Sequence, residues 1–399
     1  MSPRTESVGQ YLHGAHDFRL ESKPLVEPAS DEVQVVPRST SLCGSDLHYY
    51  NHYRNGSFVV QEPLCLGHES AGQIVALGSR VAHLNPTLAV GDRVALEVGI
   101  PCETCADCQN GRYNICKELR FRSSGSKFPH FQGTLQSSIN HPVKWVHKLP
   151  EGLDYETGAL LEPLAVAIHA VRRANSSRSH KLGNQRTCLI FGAGPVGLLC
   201  SVGAKADGFQ KVIIADIDQG RLQFALENDF ASTIYRVPLK RGQTIEEKLE
   251  IAKETAAEIA KLQWPDGNTV GQVDCVFECT GVESCIQSSV YATKSGGRVV
   301  FVGMGTPNCT MPVSEILAKE IDLIPTWRYA NAYPRAIEIA TKSVTGTTLP
   351  DIRRLVTHRY EGLESVPAAF QTAGKTKDGI GGLVMKTVVN FSTLKSSRH

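Results

Sequence analysis

The chain has 399 residues, enough for two or three domains with sizeable cores, and its 41% apolar and 21% charged content is ordinary globular composition with no disordered tract. Its 42 basic and 40 acidic residues are well mixed and leave a formal charge of +2, which excludes the basic patch that a nucleic acid or anionic membrane surface requires. Residues 1–20 carry no apolar h-region, and no apolar run approaches the ~18 residues of a membrane span, so a soluble cytoplasmic protein with a small-molecule partner is expected.

Taken in chain order, residues 30–150 show short β-rich segments at 32–37, 72–77 and 93–97, separated by Gly, Pro and Asn turns, which predicts a mixed, mostly β domain. The pattern changes after Pro150. Residues 160–173 read as a helix, and strands then alternate with helices to about residue 327, the signature of a doubly wound α/β domain. The strands are expected at 187–191, 211–215, 273–278, 298–302 and 321–324, near-continuous apolar runs of the kind covered on both faces in a parallel sheet. Between them, residues 245–262 place Ile245, Leu249, Ala252, Ala256 and Ile259 at spacings of three and four, one buried helical face. The strand-like stretch 382–389 near the end is expected to return to the first domain.

Twelve cysteines raise the question of disulfides, but an oxidising compartment is not indicated, so metal or redox chemistry explains the cysteine content better. Cys102, Cys105, Cys108 and Cys116 are spaced C-x-x-C-x-x-C-x7-C in a Gly- and Asn-containing loop. Four thiolates complete a tetrahedral zinc shell and leave no open position, so this site is expected to be structural; an iron–sulfur cluster and a zinc ribbon for nucleic acid are the alternatives. Cys188, Cys200, Cys275, Cys279, Cys285 and Cys309 read as small packing residues. A second group, Cys43-Gly44-Ser45-Asp46 followed by Gly67-His68-Glu69, offers a thiolate, an imidazole and a carboxylate. Such an incomplete shell is what a catalytic zinc needs, because the open position must accept a substrate oxygen. Glu162 is a further acidic candidate, with a helix N-terminal carboxylate as its plain structural reading.

Phe191-Gly192-Ala193-Gly194-Pro195-Val196-Gly197 follows an apolar strand and opens a helix, so this G-x-G-x-x-G stands in the context of a dinucleotide fingerprint. Gly192 permits the tight turn, Gly194 the approach of a pyrophosphate, and Gly197 the packing of helix on strand. Asp216, at the tip of the second strand, would bond both adenosine ribose hydroxyls and repel a 2′-phosphate, favouring NAD over NADP; Arg221 nearby can cover the adenine.

Together, C-G-S-D at 43–46, G-H-E at 67–69, the four cysteines, G-A-G-P-V-G at 192–197 and E-C-T-G at 278–281 resemble the medium-chain zinc-dependent alcohol dehydrogenases, in the polyol (sorbitol, xylitol, L-arabinitol) branch of fungal type. The resemblance spans nearly the whole chain. It implies a GroES-like, mostly β catalytic domain over residues 1–165 and 328–399, with a zinc lobe at about 99–118, and a Rossmann domain over 166–327. It further implies that Cys43, His68 and Glu69 bind catalytic zinc, with Glu162 holding the zinc-bound water or joining the shell, and that Tyr49, Arg328 and Tyr329 contact polyol hydroxyls. Phe58 and Trp327 would form an aromatic wall. Val196, Asp216 and Arg221 match pyrophosphate and adenosine contacts, while Val302, Gly303, Met304, Thr326, Trp327 and Arg328 match segments beside the nicotinamide. Ser45 and His48 would relay the released proton, His48 as an ordinary surface histidine being the other reading.

The implied activity is oxidation of a secondary polyol hydroxyl to a ketose with hydride transfer to NAD, by a homotetramer carrying two zinc ions per chain. Two stretches depart from the branch: 330–334 reads Ala-Asn-Ala-Tyr-Pro, beside the expected substrate pocket, and 239–271 is longer than usual, an expected surface insertion. The alternatives are an L-arabinitol, threonine or butanediol dehydrogenase and, more remotely, a nucleotide-binding protein without catalysis.

Overall fold

A computed structural model describes residues 3–175, 186–346 and 348–391. They fall into two compact units, one drawn from Met1–Glu162 and Ile352–His399 and the other from Pro163–Asp351.

The first unit is built on a seven-stranded sheet. Its strands run Val146–Lys148, Arg93–Leu96, Glu69–Leu77, Glu32–Ser41, Lys386–Asn390 and Val356–Glu361, with Ile139–Pro142 also pairing onto Glu32–Ser41. All the pairings are antiparallel except that between the last two strands. Val33 and Val35, Ile74, Val94 and Leu96 are buried into one cluster, since apolar residues two apart share a face of a strand. Each such aliphatic side chain contributes roughly 1.5–3 kcal/mol by leaving water. A hairpin, Glu6–Gly14 with Asp17–Pro24, packs Tyr11 and Leu12 into a second cluster with Leu64, Leu66, Phe370 and Val389. The stretch 382–389 does return here, as the strand Lys386–Asn390 beside Glu32–Ser41.

The second unit holds a six-stranded parallel sheet in the order Thr233–Arg236, Phe209–Asp216, Arg186–Phe191, Val273–Glu278, Thr293–Phe301, Asp322–Pro325. Numbered along the chain this is 3-2-1-4-5-6, the doubly wound order whose direction reverses between the first and fourth strands. The strand Thr233–Arg236 is additional to those expected. Its Thr-Ile-Tyr-Arg sequence is short and only half-buried, so no apolar run marks it.

The helix Ile245–Lys261 is capped by Thr244 and Glu247, each satisfying a backbone N–H of the other's end. Ala252, Ala256 and Ile259 are buried, whereas Ile245, in the first turn, is 52% exposed, because the helix enters from a solvent-facing loop before it reaches the sheet. The stretch 239–271 is therefore only partly a surface insertion: Trp264 and Val270 join the core beside Ile259.

The division of the chain also differs from the expected boundaries at 165 and 328. Residues 328–351 group with the second unit, where Arg172 donates to the carbonyls of Ala330 and Asn331 and Arg335 to that of Ala206. Residues 392–399, expected in the first domain, lie outside the described residues.

Candidate active site

Strand register brings together residues far apart in sequence. Ser41 pairs with Glu69 on one side and with Val388 on the other, so Cys43, two residues past the end of its strand, lies beside His68 and Glu69 at the start of theirs. Ligand atoms of Cys43, His68 and Glu69 all lie within 4.8 Å of one another. A thiolate, an imidazole and a carboxylate at that separation fit one divalent cation with a position to spare, so the residues present suit catalytic zinc.

Asp46, fully buried in the first turn of the helix Gly44–His52, organises this group. Its Oδ1 accepts from Gly67 N at 3.2 Å, from Ser123 Oγ at 2.6 Å and from His68 Nδ1 at 3.2 Å, and Oδ2 accepts from Cys43 N at 3.3 Å. Burial opposes its charge, but His68, Ser123 and Gly67 outweigh that and hold its pKa below the usual carboxylate value. Burial likewise disfavours a charged His68, and Asp46 and Cys43 override it, raising its pKa well above 6.5. A carboxylate behind a histidine fixes its tautomer and makes it a better metal ligand. With Nδ1 engaged, Nε2 is left for the ion, and Ser45 Oγ lies 3.5 Å from that atom.

Glu69 is bonded by Ser41 Oγ and ion-paired to Lys386. Glu162 is buried but is not among the three convergent ligands, although it is near enough to raise the pKa of Lys386. Tyr49 is buried, its hydroxyl accepting from Gly125 N at 2.9 Å and lying 3.4 Å from Ser124 Oγ. Phe58 is half-buried, and His48 is exposed near His52.

The four cysteines form a separate cluster. Sγ–Sγ separations are 4.0 Å for Cys102 and Cys108 and 3.5 Å for both Cys105–Cys108 and Cys102–Cys116. Zinc–sulfur bonds of ~2.3 Å in a tetrahedron give edges of about 3.8 Å, so this cluster fits a closed zinc site. Backbone donors at Thr104 and Cys105 pull Cys102 down to about 6, while burial and the neighbouring thiols push Cys108 up to about 12. A dication relieves that crowding of thiolates. Tyr113, between the last two cysteines, donates to Glu97 Oε1 at 2.5 Å and ties the lobe to the sheet.

In the second unit the glycine loop has the geometry that a pyrophosphate requires. Gly192 has φ +102°, and a Cβ at Gly197 would lie 1.9 Å from the Gly192 carbonyl oxygen, so neither position admits a side chain. A Cβ at Gly194 would meet only Arg221, at 3.7 Å, which leaves the N-terminus of the helix Pro195–Ala206 open for phosphate. Val196 stands in the first turn of that helix.

Asp216 Oδ2 accepts from Ala193 N at 2.6 Å and Oδ1 from Asp218 N at 2.8 Å, which aims the strand-tip carboxylate at the loop. Opposite, Glu278 accepts from the amides of Thr280 and Gly281, and its carbonyl accepts from Val302 and Gly303. Met304 is 66% exposed, Thr326 bonds the Phe301 carbonyl, and Arg328 stacks over Trp327 at 5.1 Å. Tyr329 is buried against Tyr333. Tyr49 and Phe58 thus belong to the first unit, and Trp327, Arg328 and Tyr329 to the second.

Sequence alone does not mark Asp46, Ser41, Ser123 and Lys386 as site residues. Asp46 sat visibly inside C-G-S-D; the other three carry no local signal, because strand pairing and a distant loop bring them to the ligands.

The descriptions of two known families match this chain: the alcohol dehydrogenase GroES-like domain over residues 29–151 and the zinc-binding dehydrogenase domain over residues 195–342. Sorbitol dehydrogenase of Bos taurus is 39% identical, covering 96% of this chain and 96% of its own. L-arabinitol 4-dehydrogenase of Aspergillus oryzae is 37% identical over 94% of this chain and 93% of its own. Among solved structures, galactitol-1-phosphate dehydrogenase from Escherichia coli superposes with a TM-score of 0.74 at 26% identity, covering 96% of this chain and 99% of that one. With both domains matched and the polyol enzymes related along almost their full length, the chain belongs to the medium-chain zinc-dependent alcohol dehydrogenases, in the branch that holds the sorbitol and L-arabinitol dehydrogenases.

Proposed function

We propose that this chain oxidises a secondary hydroxyl of a polyol of the sorbitol or xylitol type to a ketone, with NAD as the hydride acceptor. The convergence of Cys43, His68 and Glu69 carries this reading, because three protein ligands leave room for a substrate oxygen. Zinc held there would polarise the hydroxyl, and NAD would take the hydride.

The chain's own residues do the rest. Asp46 holds His68 in the ligating tautomer, and Lys386 and Ser41 hold Glu69. Ser45, whose Oγ lies beside His68 Nε2, is proposed to accept the proton of the substrate hydroxyl, with exposed His48 as the solvent-side end of the relay. Glu162 supplies a second carboxylate near the ligands, and Tyr49, Phe58, Arg328 and Tyr329 are proposed to meet the substrate. Asp216 selects NAD over NADP by charge, with Gly192, Gly194, Pro195, Val196, Gly197 and Arg221 around the pyrophosphate and adenosine.

A second zinc in the four-cysteine cluster is proposed to be structural, and assembly as a homotetramer rests on the family resemblance alone. An L-arabinitol substrate is the second reading, supported by the Aspergillus oryzae relative. A panel of sorbitol, xylitol, L-arabinitol, threonine, butanediol and ethanol, followed by NADH absorbance, tests the proposal; turnover of ethanol in preference to every polyol would sink it.

A further inference from the structure

Ser123 combines two features that sequence alone does not suggest. Its backbone adopts φ +60°, the left-handed region that a residue with a side chain rarely enters, and its hydroxyl is buried between Asp46 and His68. Oγ donates to Asp46 Oδ1 at 2.6 Å and lies 3.0 Å from His68 Nδ1, nearer than the Asp46 oxygen at 3.2 Å. The Nδ1–H of His68 is thus shared between two acceptors, one of which is itself tied to the other. Phe121, two residues earlier, sets its ring edge-on to the same imidazole at 5.4 Å between centroids.

Arg122, between them, points elsewhere and anchors the segment. It is 3% exposed, and its hydrogen-bond partners are neutral. Its Nε donates to His141 Nδ1 at 3.2 Å, Nη1 donates to the Gln132 carbonyl at 2.8 Å, Nη2 donates to that of Asn140, and the guanidinium covers Phe131 at 4.1 Å. His141 in turn donates from Nε2 to the Glu97 carbonyl at 3.1 Å. Backbone bonds from Arg122 N to Val98 and from Ser123 N to Phe131 close the segment on both sides. A buried cation satisfied only by neutral groups is costly, and here it fixes the residues on either side of it against His68.

We propose that Ser123 is a positioning residue for His68: its hydroxyl shares the Nδ1 proton with Asp46 and so presents Nε2 to the metal, with Arg122 clamping the segment from behind. The inference rests on the reading of Cys43, His68 and Glu69 as a metal site. Outer partners of metal-bound histidines generally matter about 10- to 100-fold in metal affinity or activity.

The test uses full-length zinc-loaded protein and two variants, Ser123→Ala and Ser123→Gly, with zinc release to a chromogenic chelator and kcat as readouts. Both variants remove the hydroxyl, and glycine also relieves the left-handed backbone, so Ser123→Gly keeps the fold. Both variants are expected to lose the more labile zinc about 10-fold faster or more and to lower kcat with little change in KM for polyol. The inference is overturned if both match the parent, and equally if only Ser123→Ala is impaired, since loss of the hydroxyl, common to both variants, would then not be the cause. A parent protein that holds no labile zinc would instead overturn the metal site itself, which separates the two failures.

Discussion

Lys386, on the strand Lys386–Asn390, is ion-paired to Glu69 with the two residues only 4% and 1% exposed, and its Nζ also donates to the Leu42 carbonyl at 2.9 Å. Burial alone would lower the pKa of Lys386, but Glu69, Cys43 and Glu162 raise it above 10.5. The C-terminal strand therefore supplies the charge that keeps a candidate metal ligand in place. Lys386→Met would leave the carboxylate buried without its cation. It is expected to destabilise the metal-free protein by about 3–5 kcal/mol in urea unfolding, and an unchanged midpoint would show that the pair contributes nothing.

The four-cysteine cluster makes a separate prediction. Cys105→Ser removes one thiolate from a closed shell, so the protein should carry one zinc fewer per chain by elemental analysis and melt at a lower temperature. Undiminished zinc content would show that Cys105 is not a ligand.

Asp216 is proposed to govern the choice between NAD and NADP. Removing its charge in Asp216→Ala is expected to raise KM for NAD by about 10- to 100-fold, the effect of one charged hydrogen bond, and to narrow the preference over NADP. Coenzyme kinetics with both dinucleotides measure this, and an unaltered ratio would remove Asp216 from the adenosine site.

Asp274 gives a pH dependence whose sign follows from its partners. Burial raises its pKa, but Lys294 and the amide and hydroxyl of Thr187, at 2.8 and 3.0 Å, bring it below 3.8. A carboxylate whose pKa is depressed in the folded state stabilises fully above the unfolded value and loses that contribution as pH falls through the folded one. Wild-type stability should therefore decline below about pH 4 more steeply than that of Asp274→Asn, as acid titrations at fixed urea would show.

What the sequence revealed follows from how local each signal is. The run Val-Asp-Cys-Val-Phe-Glu at 273–278 is a strand end to end, and the glycine loop and four cysteines are contiguous motifs whose chemistry constrains their spacing. The strand Thr233–Arg236 carries no sequence signal because four mostly half-buried residues are too short a run to show a period, and the hairpin of Glu6–Gly14 and Asp17–Pro24 precedes the region whose pattern is β-rich. At the site, Cys43, His68 and Glu69 were legible as residue types of one chemistry. Ser123 and Lys386 were not, since 55 residues separate Ser123 from His68 and only the folded sheet brings Lys386 to Glu69. Residues 328–351 group with the second unit, where Arg172 and Arg335 bond the carbonyls of Asn331 and Ala206, and no sequence pattern encodes that reach.

The most direct test of the central claim is NADH formation by zinc-loaded enzyme on the polyol panel, run beside Cys43→Ala. Polyol-dependent NADH production in the parent, abolished in Cys43→Ala while NAD binding persists, is the expected result. Polyol turnover by Cys43→Ala at the parental rate, or no turnover of any polyol by the zinc-loaded parent, would contradict it.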